Sequence, residues 1–288
     1  MFSAMPLPLR LGRIDYLNVW HVFQLLARLL PEGRGCVHLP GHPSELNRAL
    51  REGRLDVSPS SSFEYLQGAE HYRLLAGHGI CARHQVQSVL MLSPTPLEEL
   101  GRWMEHHPGP VLVSTASATS SALLRILWHR AWRLPEPQWQ PCPPGHGLDT
   151  GRPHLEIGNI ALERWLNPPP GWQVIDLATA WHHFTGLPFV FAVWIVRAAS
   201  IAEHREAITQ LHEALTAISR TLPQRLPELA PLAATLHGIP AEAVLAYWRT
   251  MHSDLGPEEQ AALTCFGAYA TEFGLLRGMP TLRWFPEP

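Results

Sequence analysis

The sequence predicts an α/β protein folded into two lobes, and three observations carry that reading. At 288 residues the chain is near the length at which one hydrophobic core stops growing. A strand that runs into clustered hydroxyls and then a helix occurs twice. Leu55-Asp56-Val57 leads into Ser58-Pro59-Ser60-Ser61-Ser62, and Val111-Leu112-Val113 leads into Ser114-Thr115-Ala116-Ser117-Ala118-Thr119-Ser120. Two long apolar runs, residues 88–93 and 189–196, read as strands covered on both faces that connect the lobes.

From the amino end, residues 9–14 alternate as a short strand, so residues 15–18 lie at its carboxyl end, ahead of a helix over residues 22–30. Asn18 is then either aimed into the crevice beyond the strand or acts as a helix N-cap, which Asn does well. A second strand over residues 37–39 and a helix over residues 43–50, opened by Pro43-Ser44, complete a βαβα unit that feeds the serine run. That run reads as a turn whose amides and hydroxyls face an anion, or as a solvated turn with a serine N-cap. Pro94-Thr95-Pro96 stops the strand at residues 88–93, and a second lobe begins near Leu97. It holds the Val111 strand, irregular chain over residues 134–153, a strand ending at Ile157-Gly158-Asn159 and a strand at residues 174–177. Residues 1–93 and 188–288 are therefore expected in one lobe and residues 94–187 in an inserted one. Helices are expected over residues 202–221, 223–236, 241–255 and 257–276.

Composition removes several classes. Charged residues make up 16% and the formal charge is −3, which speaks against a nucleic-acid footprint or a basic membrane surface. The four cysteines are scattered without a Cys-x-x-Cys pair, and the seventeen histidines show no His-Glu-x-x-His spacing, so neither a disulfide framework nor a metal site is expected. Residues 1–10 contain no secretory signal pattern, and no later run has the length of a membrane span, so a cytoplasmic location is expected. Gly-x-Gly-x-x-Gly, Walker-type and Gly-x-Ser-x-Gly motifs are missing, and no acid pair suggests general acid and base chemistry.

The run Gly12-Arg13-Ile14-Asp15-Tyr16-Leu17-Asn18, with Glu45-Leu46-Asn47-Arg48, residues 56–65, residues 88–93, Ser117-Ala118-Thr119-Ser120 and residues 185–191, resembles chorismate dehydratase of the futalosine route to menaquinone. The resemblance keeps order and spacing from about Leu9 into the carboxyl-terminal helices. It implies a type II periplasmic-binding-protein-like fold, with two α/β lobes, two crossing strands between them and the ligand clamped between the lobes. It also implies removal of water from chorismate to give 3-[(1-carboxyvinyl)oxy]benzoate, with no metal or organic cofactor. Asn18 and Ser88 match the family's active-site Asn and Ser. Neither is basic enough to take a carbon-bound proton, so both read as hydrogen-bonding groups, with a substrate carboxylate as the base. Tyr16, Ser60, Ser61, Ser62, Ser117, Ala118, Thr119 and Asn159 are expected to bind substrate.

Two positions depart from the family pattern. His21 stands where the family usually has Pro, and Asn159 stands where it commonly has Asp. The second change alters activity or substrate, or is neutral, because Asn accepts the same hydrogen bond through its carbonyl oxygen. The competing readings are a small-anion receptor on the same fold and the later enzyme of the same pathway that releases 1,4-dihydroxy-6-naphthoate.

Overall fold

The computed structural model describes residues 7–31, 33 and 35–287. From the amino end, β1 (Leu9–Arg13), α1 (Leu17–Leu29), β2 (Cys36–Pro40), α2 (Pro43–Arg51), β3 (Val57–Ser61), α3 (Ser62–Gln67) and β4 (Tyr72–Ala82) begin a first sheet. A second sheet follows from β5 (Val89–Ser93), α4 (Leu97–His106), β6 (Val111–Ser114), α5 (Ala118–Ile126), β7 (Trp139–Cys142), β8 (His154–Ile157), α6 (Gly158–Leu166) and β9 (Gln173–Asp176). After α7 (Leu177–Thr185), β10 (Phe189–Arg197) returns to the first sheet. That sheet is completed by α8 (Ile201–His237), α9 (Ala241–Trp248), β11 (Met251–Leu255), α10 (Pro257–Glu272) and β12 (Trp284–Phe285).

Among the described residues the first sheet has the order β11-β4-β10-β3-β1-β2, with β12 also on β4, and the second has the order β7-β6-β8-β5-β9. The chain crosses between the sheets at residues 83–88 and 186–188. The apolar runs at residues 88–93 and 189–196 are both strands, but each lies within one sheet and they do not pair with each other. β5 pairs antiparallel with β8 and β9 in the second sheet, and β10 pairs antiparallel with β3 and β4 in the first. Both runs are apolar because each lies inside its own sheet, which leaves no period-2 signal to say which sheet that is. The first boundary therefore belongs before β5, not after Ser93.

The serine run is not a turn. Ser58, Ser60 and Ser61 lie within β3, buried between β1 and β10. Serine and proline are poor strand formers, and neighbouring strands override that preference. Proline is tolerated because β3 meets β1 at Leu11 and Val57, and Pro59 lies beyond that point. The helices read as separate before and after Pro223 form one element, α8, which contains Pro223, Pro227 and Pro231. The three prolines recur every fourth residue on the exposed face, where water can serve the carbonyls that lose an amide partner. No single helix among the described residues is long and apolar enough to cross a membrane.

Candidate active site

A cavity of about 80 Å³ lies between the two sheets. The first sheet contributes Tyr16 and Asn18 at the start of α1, Ser60 and Ser61 at the end of β3, and Phe191 and Ala192 from β10. The second contributes Ser117 and Ser120 at the start of α5, and Ile157 and Gly158 where β8 turns into α6. Ser88 enters from the crossing segment ahead of β5. Ile14, Ile80, Val86 and Met251 make much of the apolar wall. The starts of α1, α5 and α6 thus converge on one space, each with amide donors and the positive end of a peptide dipole.

Local geometry gives several of these groups a direction. Ser61 Oγ accepts from Glu64 N at 3.1 Å and from Asn47 Nδ2 at 3.2 Å. Both lone pairs are used, so its remaining function is to donate. Ser117 Oγ caps α5 by accepting from Ser120 N at 3.1 Å. Asn18 Oδ1 and Ser60 Oγ are sealed from solvent without a protein partner, a state buried polar atoms rarely keep unless a ligand or water completes them. Gly158 has a positive φ of 68°, and a Cβ there would approach the Tyr16 ring to 3.3 Å, so both backbone and space favour glycine at this wall.

Ser88 is held by three elements. Its Oγ donates to Val86 O at 3.3 Å and accepts from Tyr247 Oη at 2.8 Å, while its carbonyl accepts from Gly158 N at 2.9 Å. The segment before it is pinned by Asp176, the N-cap of α7, which accepts from Val86 N, Gln87 N, Ala178 N and Thr179 N. Gln87 holds a left-handed φ of 59°, and its amide bond to Asp176 at 2.6 Å ties down that costly conformation. Burial raises the Asp176 carboxyl above its ordinary value, against the pull of its four amide donors.

Four residues expected to bind substrate lie elsewhere. Thr119 accepts from Phe63 N at 3.0 Å and shares a 3.3 Å contact with Ser62 Oγ, which also donates to Val190 O at 2.8 Å. Both hydroxyls are consumed in joining α5 to α3 across the two sheets. Ala118 is exposed at the first turn of α5. Asn159 Oδ1 accepts from Leu17 N at 3.1 Å, so a side chain of the second sheet caps a free amide at the start of α1 in the first. Asn159 therefore faces a helix start and borders the cavity through its neighbour Gly158.

The cavity wall carries no Asp, Glu, His, Lys or Arg among the described residues. Its one titratable group is Tyr16, whose phenol is raised by burial and then by the nearby Glu156 and Glu45. His21, one turn beyond Asn18, is lowered to about 3 by burial and stays neutral. It packs on Trp248 with ring centroids 4.6 Å apart. Trp248 Nε1 donates to Leu17 O at 2.7 Å, so consecutive residues of α9 hold the turn bearing Asn18 and the Ser88 hydroxyl. Tyr247 and Trp248 carry no motif, and no sequence signal singles them out from other aromatic core residues.

Two α/β sheets with a cavity between them ringed by helix starts define a two-lobed fold of the periplasmic-binding-protein type. Solved structures agree on the fold. The alkanesulfonate-binding protein SsuA from Xanthomonas axonopodis pv. citri matches with a TM-score of 0.68 at 15% identity, covering 99% of this chain and 98% of that one. A protein from Archaeoglobus fulgidus matches with a TM-score of 0.67 at 14% identity, covering 93% and 98%.

Within that class the chain belongs to the menaquinone biosynthesis family, whose model matches residues 9–272. Chorismate dehydratase from Thermus thermophilus is 31% identical over 242 residues, which cover 75% of this chain and 83% of the relative. Chorismate dehydratase from Campylobacter jejuni is 32% identical over 184 residues, covering 63% and 64%.

Proposed function

We propose that this chain is a chorismate dehydratase of menaquinone biosynthesis and that the inter-sheet cavity is its active site. The observation that carries the reading is the cavity's make-up: hydroxyls, a carboxamide and converging helix starts from both sheets, without an ionised side chain. Such a wall suits a dianionic substrate whose reaction needs little acid and base machinery. The helix starts offer amides and dipoles to carboxylates, and the neutral wall leaves those carboxylates unpaired and basic.

In the dehydration a ring carbon gives up its proton, the neighbouring carbon gives up its hydroxyl, and the electrons of the broken C–H bond complete the aromatic ring. The proton and hydroxide leave as water. Aromatisation supplies the driving force, so the protein's share is orientation, exclusion of bulk water and stabilisation of the departing oxygen. A carboxylate of the substrate takes the proton. Asn18 and Ser88 hydrogen-bond the reacting ring and the departing hydroxyl. Tyr16, Ser60, Ser61 and Ser117 complete the hold, with Ser120 as a further hydroxyl. Thr119, Ser62 and Asn159 serve the site by holding the two lobes in register, with hinges at the two crossing segments.

Incubating the purified protein with chorismate is expected to give a product lighter by one water and with benzoate absorbance. Intact chorismate, together with release of 1,4-dihydroxy-6-naphthoate from the later pathway intermediate, would replace this reading with the paralogous one. Retention of unchanged chorismate would leave a binding protein.

A further inference from the structure

We propose that Tyr247 is a positioning residue for the dehydration. Its phenol O–H occupies one lone pair of Ser88 Oγ and so turns the Ser88 proton toward the substrate's departing hydroxyl. The inference rests on the role given to Ser88 above and extends it to a helix that does not border the cavity.

The geometry is specific. Tyr247 lies near the end of α9, 2% exposed, and Ser88 is 3% exposed on the crossing segment, with 2.8 Å between their oxygens. A serine hydroxyl has one proton and two lone pairs. The Ser88 proton goes to Val86 O at 3.3 Å, a long contact, so the shared proton in the shorter bond comes from Tyr247. The long bond to Val86 is the one substrate can replace. When the Ser88 proton swings to a substrate oxygen, the Tyr247 bond remains and polarises the hydroxyl as a donor.

Burial gives the phenol a raised pKa, with Ser88 as its hydrogen-bond partner and Asp176 as the negative group acting on it. Tyr247 therefore stays protonated, and Ser88 acts as a donor and not as a base. Trp248, the next residue, fixes Leu17 O at 2.7 Å in the turn that carries Asn18. The end of α9 thus sets both groups proposed to meet the reacting ring.

The test is a double-mutant cycle on single-turnover rates with chorismate, using the parent, Tyr247→Phe, Ser88→Ala and the pair. Phe keeps the ring and removes only the donor. Tyr247→Phe is expected to slow turnover about fivefold to tenfold, the loss of one hydrogen bond, with KM little changed. In the Ser88→Ala background the same change is expected to have no further effect. A Tyr247→Phe variant at the parental rate, or one with an equal loss in both backgrounds, overturns the inference, because a merely structural role does not depend on the Ser88 hydroxyl. If Tyr247→Phe does not fold, 3,5-difluorotyrosine at position 247 replaces it. This keeps the shape and makes the O–H more acidic, so the expected result is a changed rate with Ser88 present and an unchanged one without it. A parent protein inert toward chorismate would instead count against the proposed function.

Discussion

Asn18→Ala is expected to dehydrate chorismate at least about 100-fold more slowly than the parent, a loss of about 2.7–4 kcal/mol in transition-state stabilisation, while product binding changes little. Asn18 sits in the first turn of α1, where its amide group borders the cavity and its Oδ1 is buried without a partner. A group preorganised in this way costs no reorganisation at the moment of reaction. Interactions that strengthen in the transition state lower kcat when removed, whereas interactions equally strong in the bound substrate raise KM. Steady-state kinetics with a parallel titration of product separates the two. A variant that turns over at near the parental rate would return Asn18 to an ordinary helix residue. The helix itself is expected to survive, since Tyr16 and not Asn18 occupies the N-cap position and alanine favours the helical state.

The second large effect is on stability. Asp56→Ala is expected to destabilise the fold by about 3 kcal/mol, near the low end for breaking a buried ion pair because the freed arginine can reach water. Asp56 is 1% exposed and accepts from Arg10 N at 2.8 Å, Arg10 Nε at 2.8 Å, Arg10 Nη2 at 2.6 Å and Ser200 Oγ at 2.7 Å. It thereby ties β1 to the chain entering β3 and to the approach to α8. The melting temperature is expected to fall by about 5 °C for a chain of 288 residues.

Burial alone would raise the Asp56 carboxyl, but the Arg10 and Ser200 hydrogen bonds outweigh it and hold the group below its ordinary value. The sign for pH follows from that direction. A carboxyl lowered by folding adds stability that is fully present above its unfolded value of about 3.9 and is lost as pH falls through the lower, folded value. Chemical denaturation of parent and Asp56→Ala across acid pH is expected to converge at the acid end. A gap that widens as pH falls would contradict the assignment.

Much of this layout is legible in the residues. The alternation at β1 followed by Tyr16-Leu17-Asn18, and the hydroxyl-rich start of α5, place Asn18 and Ser117 at strand ends, where the structure has them. The strand β4 escapes because Gly77 and Gly79 break its pattern, and β11 escapes because its polar Met-His-Ser-Asp-Leu continues a helical run by composition. The serine run misleads because its strand state is imposed by β10, a partner more than a hundred residues away. Thr119 misleads for a different reason. Helix-start spacing shows that its backbone lies near the site, but not that its hydroxyl turns away to cap Phe63 N. Tyr247 meets Ser88 across 159 residues of chain, a pairing that only tertiary structure creates.

The claim that chorismate is processed between the sheets is tested most directly by a crystal structure of the protein with 3-[(1-carboxyvinyl)oxy]benzoate. The expected result is the aromatic ring in the cavity, with Asn18 and Ser88 at hydrogen-bond distance of the ligand and its carboxylates at the starts of α5 and α6. Product bound at any other place, with this cavity filled only by water, would contradict the account.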